Sequence, residues 1–200
     1  AGRIGNTKDL ALDKIGLTLN KQRLIPVNEQ LQTDISNIYA AGDVIGPPAL
    51  ASTAMEQGRR VSCNAYDMNT GTMSQTIPTG IYGIPELSSV GLSESAAKKQ
   101  YGDIIIGKAV FEEIARGQIS GIQDGMLKIV CDAHGEKILG VMIVGEGATE
   151  LVHIGQMALL ANANVDIFVE SIFNFPTLAE AYRVAALSVI GQRNKHQSKF

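Results

Sequence analysis

The sequence predicts a chain in two parts, α/β and then α+β: a strand–loop–helix unit over residues 1–70, and a domain with an antiparallel sheet and packed helices over 77–192. Three observations predict this. A short apolar run ends in Gly-Asp and leads into a helical stretch. Met68–Thr76 is polar, contains Gly and has no period, so 71–76 reads as a linker. Beyond it strand-like segments come first and helical ones follow.

The opening AGRIGNTKDLALDKIG has no initiator Met and no cap or strand pattern, as if cut from something longer. Asp34–Asn37 reads as a polar turn, and Ile38–Ala41 as a short buried strand that stops at Gly42 and Asp43. After Gly46–Pro48 a helix is expected from about Ser52 to Tyr66, with Ala54, Met55, Val61 and Ala65 on its packed face. Residues 1–70 would lack most of a sheet to pack on, so this strand's edge is expected to be exposed, swapped between subunits or rearranged.

In the second part strands are expected near Ser88–Val90, Ile104–Phe111, Met126–Asp132 and Ile138–Val144, with a short helix over Ser93–Gln100. Turns at Ile122–Gly125 and Ala133–Glu136 suggest antiparallel neighbours. Helices follow at about Thr149–Asn162, Asp166–Ile172 and Leu178–Ile190, and residues 193–200 read as a disordered tail. The helix from Thr149 carries Leu151, Val152, Ile154, Met157, Ala158, Leu159 and Leu160, more apolar surface than one core-facing stripe requires. Burial within the domain or against a second subunit both explain it.

Composition excludes some partners. Seventeen basic and 20 acidic residues leave a formal charge of −3, no footprint for nucleic acid or an anionic membrane surface. Apolar runs such as Ile138–Val144 fall far short of the roughly 20 residues of a membrane span, so the chain reads as soluble. Cys63 and Cys131 stand in no Cys-x-x-Cys pair or His-rich neighbourhood, and read as buried free thiols of a reducing, cytoplasmic compartment. Glu150 and His153 lie three apart on one helix without a second ligand pair, so no metal site is expected.

The residues with chemistry are few. Asp43 follows a small apolar strand end, where a carboxylate can accept hydrogen bonds from a polyol, and Gly42 beside it lets a ligand approach the backbone. A helix starting near Ser52 would aim its positive end and free N–H groups at whatever lies before it. Thr177 and Glu180, behind Pro176, have capping-box spacing. Gly145-Glu146-Gly147 is not a dinucleotide fingerprint, because Glu150 stands where the third glycine belongs, and no Gly-x-Gly-x-x-Gly occurs in the chain.

The stretch from Thr33 through Asp43 to Gly58 resembles the second flavin-contacting segment of the FAD-dependent pyridine nucleotide-disulfide oxidoreductase superfamily. IPTGIYGIPELSSVGLSE, GEGATELVHIGQMALL and NFPTLAEAYRVAAL resemble, within it, the soluble pyridine nucleotide transhydrogenases. The resemblance implies that residues 1–70 are a residual C-terminal piece of a FAD-binding Rossmann-like domain, with FAD as cofactor, Asp43 holding the ribityl chain, Gly42 beside it and the backbone near Leu50 and Ala51 facing the flavin ring. It also implies NAD and NADP as partners, hydride transfer between them, and a homodimer built on the second domain.

In the superfamily's disulfide reductases a His-Pro-Thr-x-x-x-Glu stretch supplies an acid/base pair for thiols, and here Phe175 stands at the His position. Phenylalanine moves no protons, so the departure points away from disulfide turnover. Glu180 is expected to cap, and no catalytic residue is assigned. The alternative is a dimerisation module of a dihydrolipoamide-dehydrogenase-like disulfide oxidoreductase. With no Gly-rich nucleotide loop, the 200 residues alone are expected to be inactive, without FAD, and self-associating.

Overall fold

The structure, a computed structural model, describes residues 3–197, with side chains described through 194. The chain divides into two compact units, Ala1–Ser74 and Gln75–Phe200.

The first unit is built from short 3-10 turns at Lys8–Leu10, Leu12–Ile15 and Asp43–Ile45, and from one helix, α1 (Ala51–Ala65). Its buried hydrophobic side chains are Leu17, Ile25 and Leu31. The expected strand Ile38–Ala41 does not form as such. Tyr39 makes one antiparallel bridge to Gln32, flanked by bonds from Thr33 N–H to the Ile38 carbonyl (2.9 Å) and from Ala40 N–H to the Leu31 carbonyl (3.0 Å). A run of apolar residues becomes a strand only where a neighbour satisfies its backbone over several residues, and here the pairing covers one.

The face of α1 also departs from expectation. Met55 is 70% exposed and Ala65 is exposed, whereas the buried side chains are Thr53 and Gln57, four apart and so on one side of the helix. Asn64, further along, donates to the Gln30 carbonyl at 2.8 Å. Arg60 donates to the Gly71 and Thr72 carbonyls at 2.8 and 3.0 Å. Polar side chains reaching backbone, rather than an apolar stripe, hold this helix within its unit. On its exposed flank Glu56 pairs with Arg59 and Arg60, and the hydrogen bond from Arg59 pulls the carboxyl pKa down to about 2.

The second unit is a five-stranded antiparallel sheet with helices: β1 (Thr79–Ile81), β2 (Leu87–Gly91), α2 (Glu94–Tyr101), β3 (Ile104–Val110), α3 (Ala115–Ser120), β4 (Met126–Asp132), β5 (Ile138–Val144), α4 (Ala148–Leu160), α5 (Ile167–Glu170) and α6 (Glu180–Gln197). The strand order is β1-β2-β5-β4-β3. β4 and β5 have the expected bounds, and Ala133–Glu136 closes their hairpin. Ser93 starts α2 by accepting from Ala96 N–H at 3.2 Å.

One face of the sheet carries the main core. Val90, Ile105, Leu127, Ile129, Val141 and Ile143 pack with Val152 and Ala158 of α4, Phe168 of α5, and Tyr182, Ala185 and Val189 of α6. Gly107 is required by this packing, because a Cβ there would run into the Ala185 carbonyl oxygen. On the other face Ala97 of α2 covers Val130 and Leu139. Residues of β4 alternate between the two layers, Ile129 and Cys131 serving the first and Val130 the second, and the β4–β5 ladder shifts register between Val130 and Cys131.

Within the stretch 193–200 expected as a tail, α6 continues through Gln197, and residues 198–200 lie outside the described residues. Its last turns are tied down by side chains. Gln192 donates to the Ile106 carbonyl at 2.7 Å, and the Arg193 guanidinium clasps Asp166 at 2.8 and 2.9 Å. Among the described residues no helix is long and apolar enough to cross a membrane.

Candidate functional site

Asp43 opens a 3-10 turn that follows Gly42, whose φ of 84° and ψ of −162° lie where a side chain is strained. The carboxylate is 58% exposed and meets Arg3 at 3.7 Å. It borders a cavity of about 690 Å³ whose lining also includes Asn6, Lys21, Gln22, Val44 and Pro47. An exposed acceptor beside a glycine and a roomy cleft can take hydroxyl donors from a polyol, the chemistry a ribityl chain presents.

Leu50 is the N-cap residue of α1 in extended conformation and contributes no side-chain cap, and Ala51 is the first helical residue. The Leu50 carbonyl accepts from Ala54 N–H at 2.9 Å, which starts the helical ladder. A helix end without a side-chain cap directs N–H groups and the positive end of the dipole outward, a setting that favours negative charge placed before it. Thr53, one turn in, has a buried hydroxyl with no hydrogen-bond partner.

Two features here are not visible as a sequence motif. Gln57, only 4% exposed, accepts the Gly42 N–H on its side-chain oxygen at 2.7 Å. Thr53 lies on the same inward face. The spacing of Thr53, Gln57, Arg60 and Asn64 is a helical stripe of polar residues, and that periodicity is the signal that could have pointed to them.

In the second unit Phe175 is 68% exposed, on the connection between α5 and α6, and Ile172 of the same connection is fully exposed. The Phe175–Pro176 peptide bond is cis. Thr177 N–H donates to the Glu180 carboxylate at 3.3 Å, and the Thr177 hydroxyl donates to the Asn174 carbonyl at 2.7 Å. Half of the capping box is therefore formed: the glutamate reaches back, while the threonine hydroxyl serves the preceding turn. Glu180 is engaged with backbone and faces no proton-carrying side chain at position 175.

The remaining polar candidates have structural partners. His153 Nδ1 lies 2.9 Å from the Gln156 side-chain oxygen, and Gln156 donates to the Thr76 carbonyl at 3.2 Å. No cluster of three or more metal-binding side chains occurs among the described residues. Cys131 is fully buried, and burial pushes its thiol pKa up to about 12; Cys63 is half-buried, and both are free.

Comparison with known proteins agrees with this division. The dimerisation domain of the pyridine nucleotide-disulphide oxidoreductases matches residues 77–186, and the domain described as pyridine nucleotide-disulphide oxidoreductase matches residues 1–58. The chain is 46% identical over 192 residues to the soluble pyridine nucleotide transhydrogenase of Hamiltonella defensa, covering 94% of this chain and 41% of that protein. To the protein of the same name from Pseudomonas syringae it is 47% identical over 188 residues, covering 92% and 40%. Of solved structures, LpdA from Mycobacterium tuberculosis superposes with a TM-score of 0.83 at 26% identity, covering 93% of this chain and 41% of that one. The HOCl-induced flavoprotein disulfide reductase RclA from Escherichia coli gives 0.85 at 25%, covering 94% and 43%. The chain thus spans about two fifths of the length of the relatives it matches, and with more than half of its own residues in the dimerisation domain it belongs to the pyridine nucleotide-disulphide oxidoreductase family.

Proposed function

We propose that the chain is the C-terminal part of a FAD-dependent soluble transhydrogenase that passes hydride between NADPH and NAD or in the reverse direction. The observation that carries the reading is Phe175, an exposed phenyl ring where a thiol-reducing relative needs a proton carrier. Identity of 46–47% to proteins named soluble pyridine nucleotide transhydrogenases supports it. Bound flavin supplies the group that accepts and returns hydride. Asp43 would hold the ribityl hydroxyls, Gly42 would leave room for them, and the backbone at Leu50 and Ala51 would face the ring with the positive end of α1 behind it.

The second domain joins two subunits in this reading. Met157 and Leu160 of α4 are 55% and 44% exposed, and Leu187 of α6 is 48% exposed, an apolar surface suited to a second copy. The 200 residues by themselves are inactive because they contain no Gly-rich nucleotide loop.

A second reading, a disulfide reductase relative, rests on the likeness to the disulfide reductase RclA. The full-length protein decides between them. Reduction of a thio-analogue of NAD by NADPH, with no turnover of lipoamide or small disulfides, is the expected result; disulfide reduction without nucleotide exchange sinks the transhydrogenase reading. The isolated chain is expected to be colourless and dimeric in sedimentation, and a folded monomer counts against the interface role.

A further inference from the structure

We infer that Gln57 is a positioning residue for the flavin site, holding the Gly42–Asp43 turn so that the Asp43 carboxylate is set toward the polyol. The inference rests on the flavin reading above. Gly42 has no side chain, and its backbone angles lie in a region open almost only to glycine, so nothing intrinsic to the residue selects them over the many others it can adopt. The choice must come from its hydrogen bonds. Past the turn, Ile45 N–H donates to the Gly42 carbonyl (3.1 Å), Gly46 N–H to the Asp43 carbonyl (3.2 Å) and Ile25 N–H to the Val44 carbonyl (3.0 Å). Before it, the Ala41–Gly42 peptide is held by the Gln57 side-chain oxygen at 2.7 Å.

Gln57 suits that task because it is itself fixed. It sits on the buried face of α1, a 15-residue helix whose positive end lies at Leu50 and Ala51. One helix would therefore supply both the backbone end facing the ring and, two turns in, the acceptor that orients the ribityl-binding carboxylate. Losing the acceptor leaves the Gly42 N–H without a partner and frees the peptide to rotate, which costs ligand affinity through disorder of Asp43.

The test uses the full-length protein and FAD itself, reading FAD affinity from recovery of flavin fluorescence and absorbance on release. Gln57→Met keeps length and removes the acceptor; it is expected to weaken FAD binding about tenfold. Gln57→Glu keeps an acceptor for the same N–H and is expected to stay within about threefold. Hydrogen exchange at the Gly42 amide should rise in the first variant and not in the second. Should Gln57→Met fail to fold, Gln57→Asn, whose shorter amide cannot reach Gly42, is read in the same way. Wild-type affinity in the acceptor-free variant, with Asp43→Ala still losing FAD, overturns the inference alone. Undiminished FAD affinity in Asp43→Ala overturns the flavin reading and the inference with it.

Discussion

Arg193 and Asp166 show at the scale of single residues how this chain holds an end that looked free. The guanidinium makes two hydrogen bonds to one carboxylate, and that pairing holds the Asp166 carboxyl below the usual carboxylate range. A depressed folded pKa contributes stability that is present above the unfolded value, near 4, and is lost as pH falls through the folded value. Arg193→Gln should therefore be less stable than wild type at pH 6, with the gap closing below about pH 4. Denaturant titrations across that range measure it, and a gap independent of pH would show that the pair is not its source. Asp43 stands out in sequence because it ends a small apolar run, but Gln57 does not. Its helical spacing with Thr53, Arg60 and Asn64 marks a polar stripe, but the backbone it bonds 15 residues away is not part of that pattern.

Among elements, α4 shows what periodicity can and cannot resolve. Its sequence is apolar nearly all round, and the structure turns Val152, Gly155 and Ala158 inward while Met157 and Leu160 remain exposed. Tyr182 of α6 decides how it is seated. Its buried hydroxyl accepts from Gly155 N–H at 3.0 Å and donates to the Leu151 carbonyl at 2.8 Å, the two ends of one helical rung, and burial raises its pKa. Tyr182→Phe should lower stability by about 1–3 kcal/mol by stripping both partners of that hydroxyl. Thermal or urea unfolding measures this, and a change under about 0.3 kcal/mol would mean the rung closes on itself without the tyrosine. β4 and β5 were legible because their runs are long and bounded by turns. β1 and α3 were not: β1 is three residues with a central glycine, and α3 is six residues entered without a side-chain cap.

For the whole molecule, the two units differ in what holds them. Unit Gln75–Phe200 has a continuous core between sheet and helices, whereas Ala1–Ser74 buries Leu17, Ile25 and Leu31 and ties α1 down through polar side chains. Small apolar cores are the first to open. Limited proteolysis of the chain is expected to cut within 1–74 and leave a resistant product beginning near residue 75. Equal resistance of both units would contradict that ranking.

By itself the sequence determined the family, the antiparallel sheet with its following helices, and the phenyl group at position 175, because long amphipathic runs, turn residues and side-chain identity are local properties. The tertiary structure alone decided that Ile38–Ala41 pairs through one bridge, that α1 turns Thr53 and Gln57 inward rather than Met55, and that the tail from residue 193 continues α6. Each depends on which partner backbone or side chain comes within hydrogen-bonding reach after folding: the polar stripe of α1 is present in the sequence, but which face of the helix turns inward is settled by those partners.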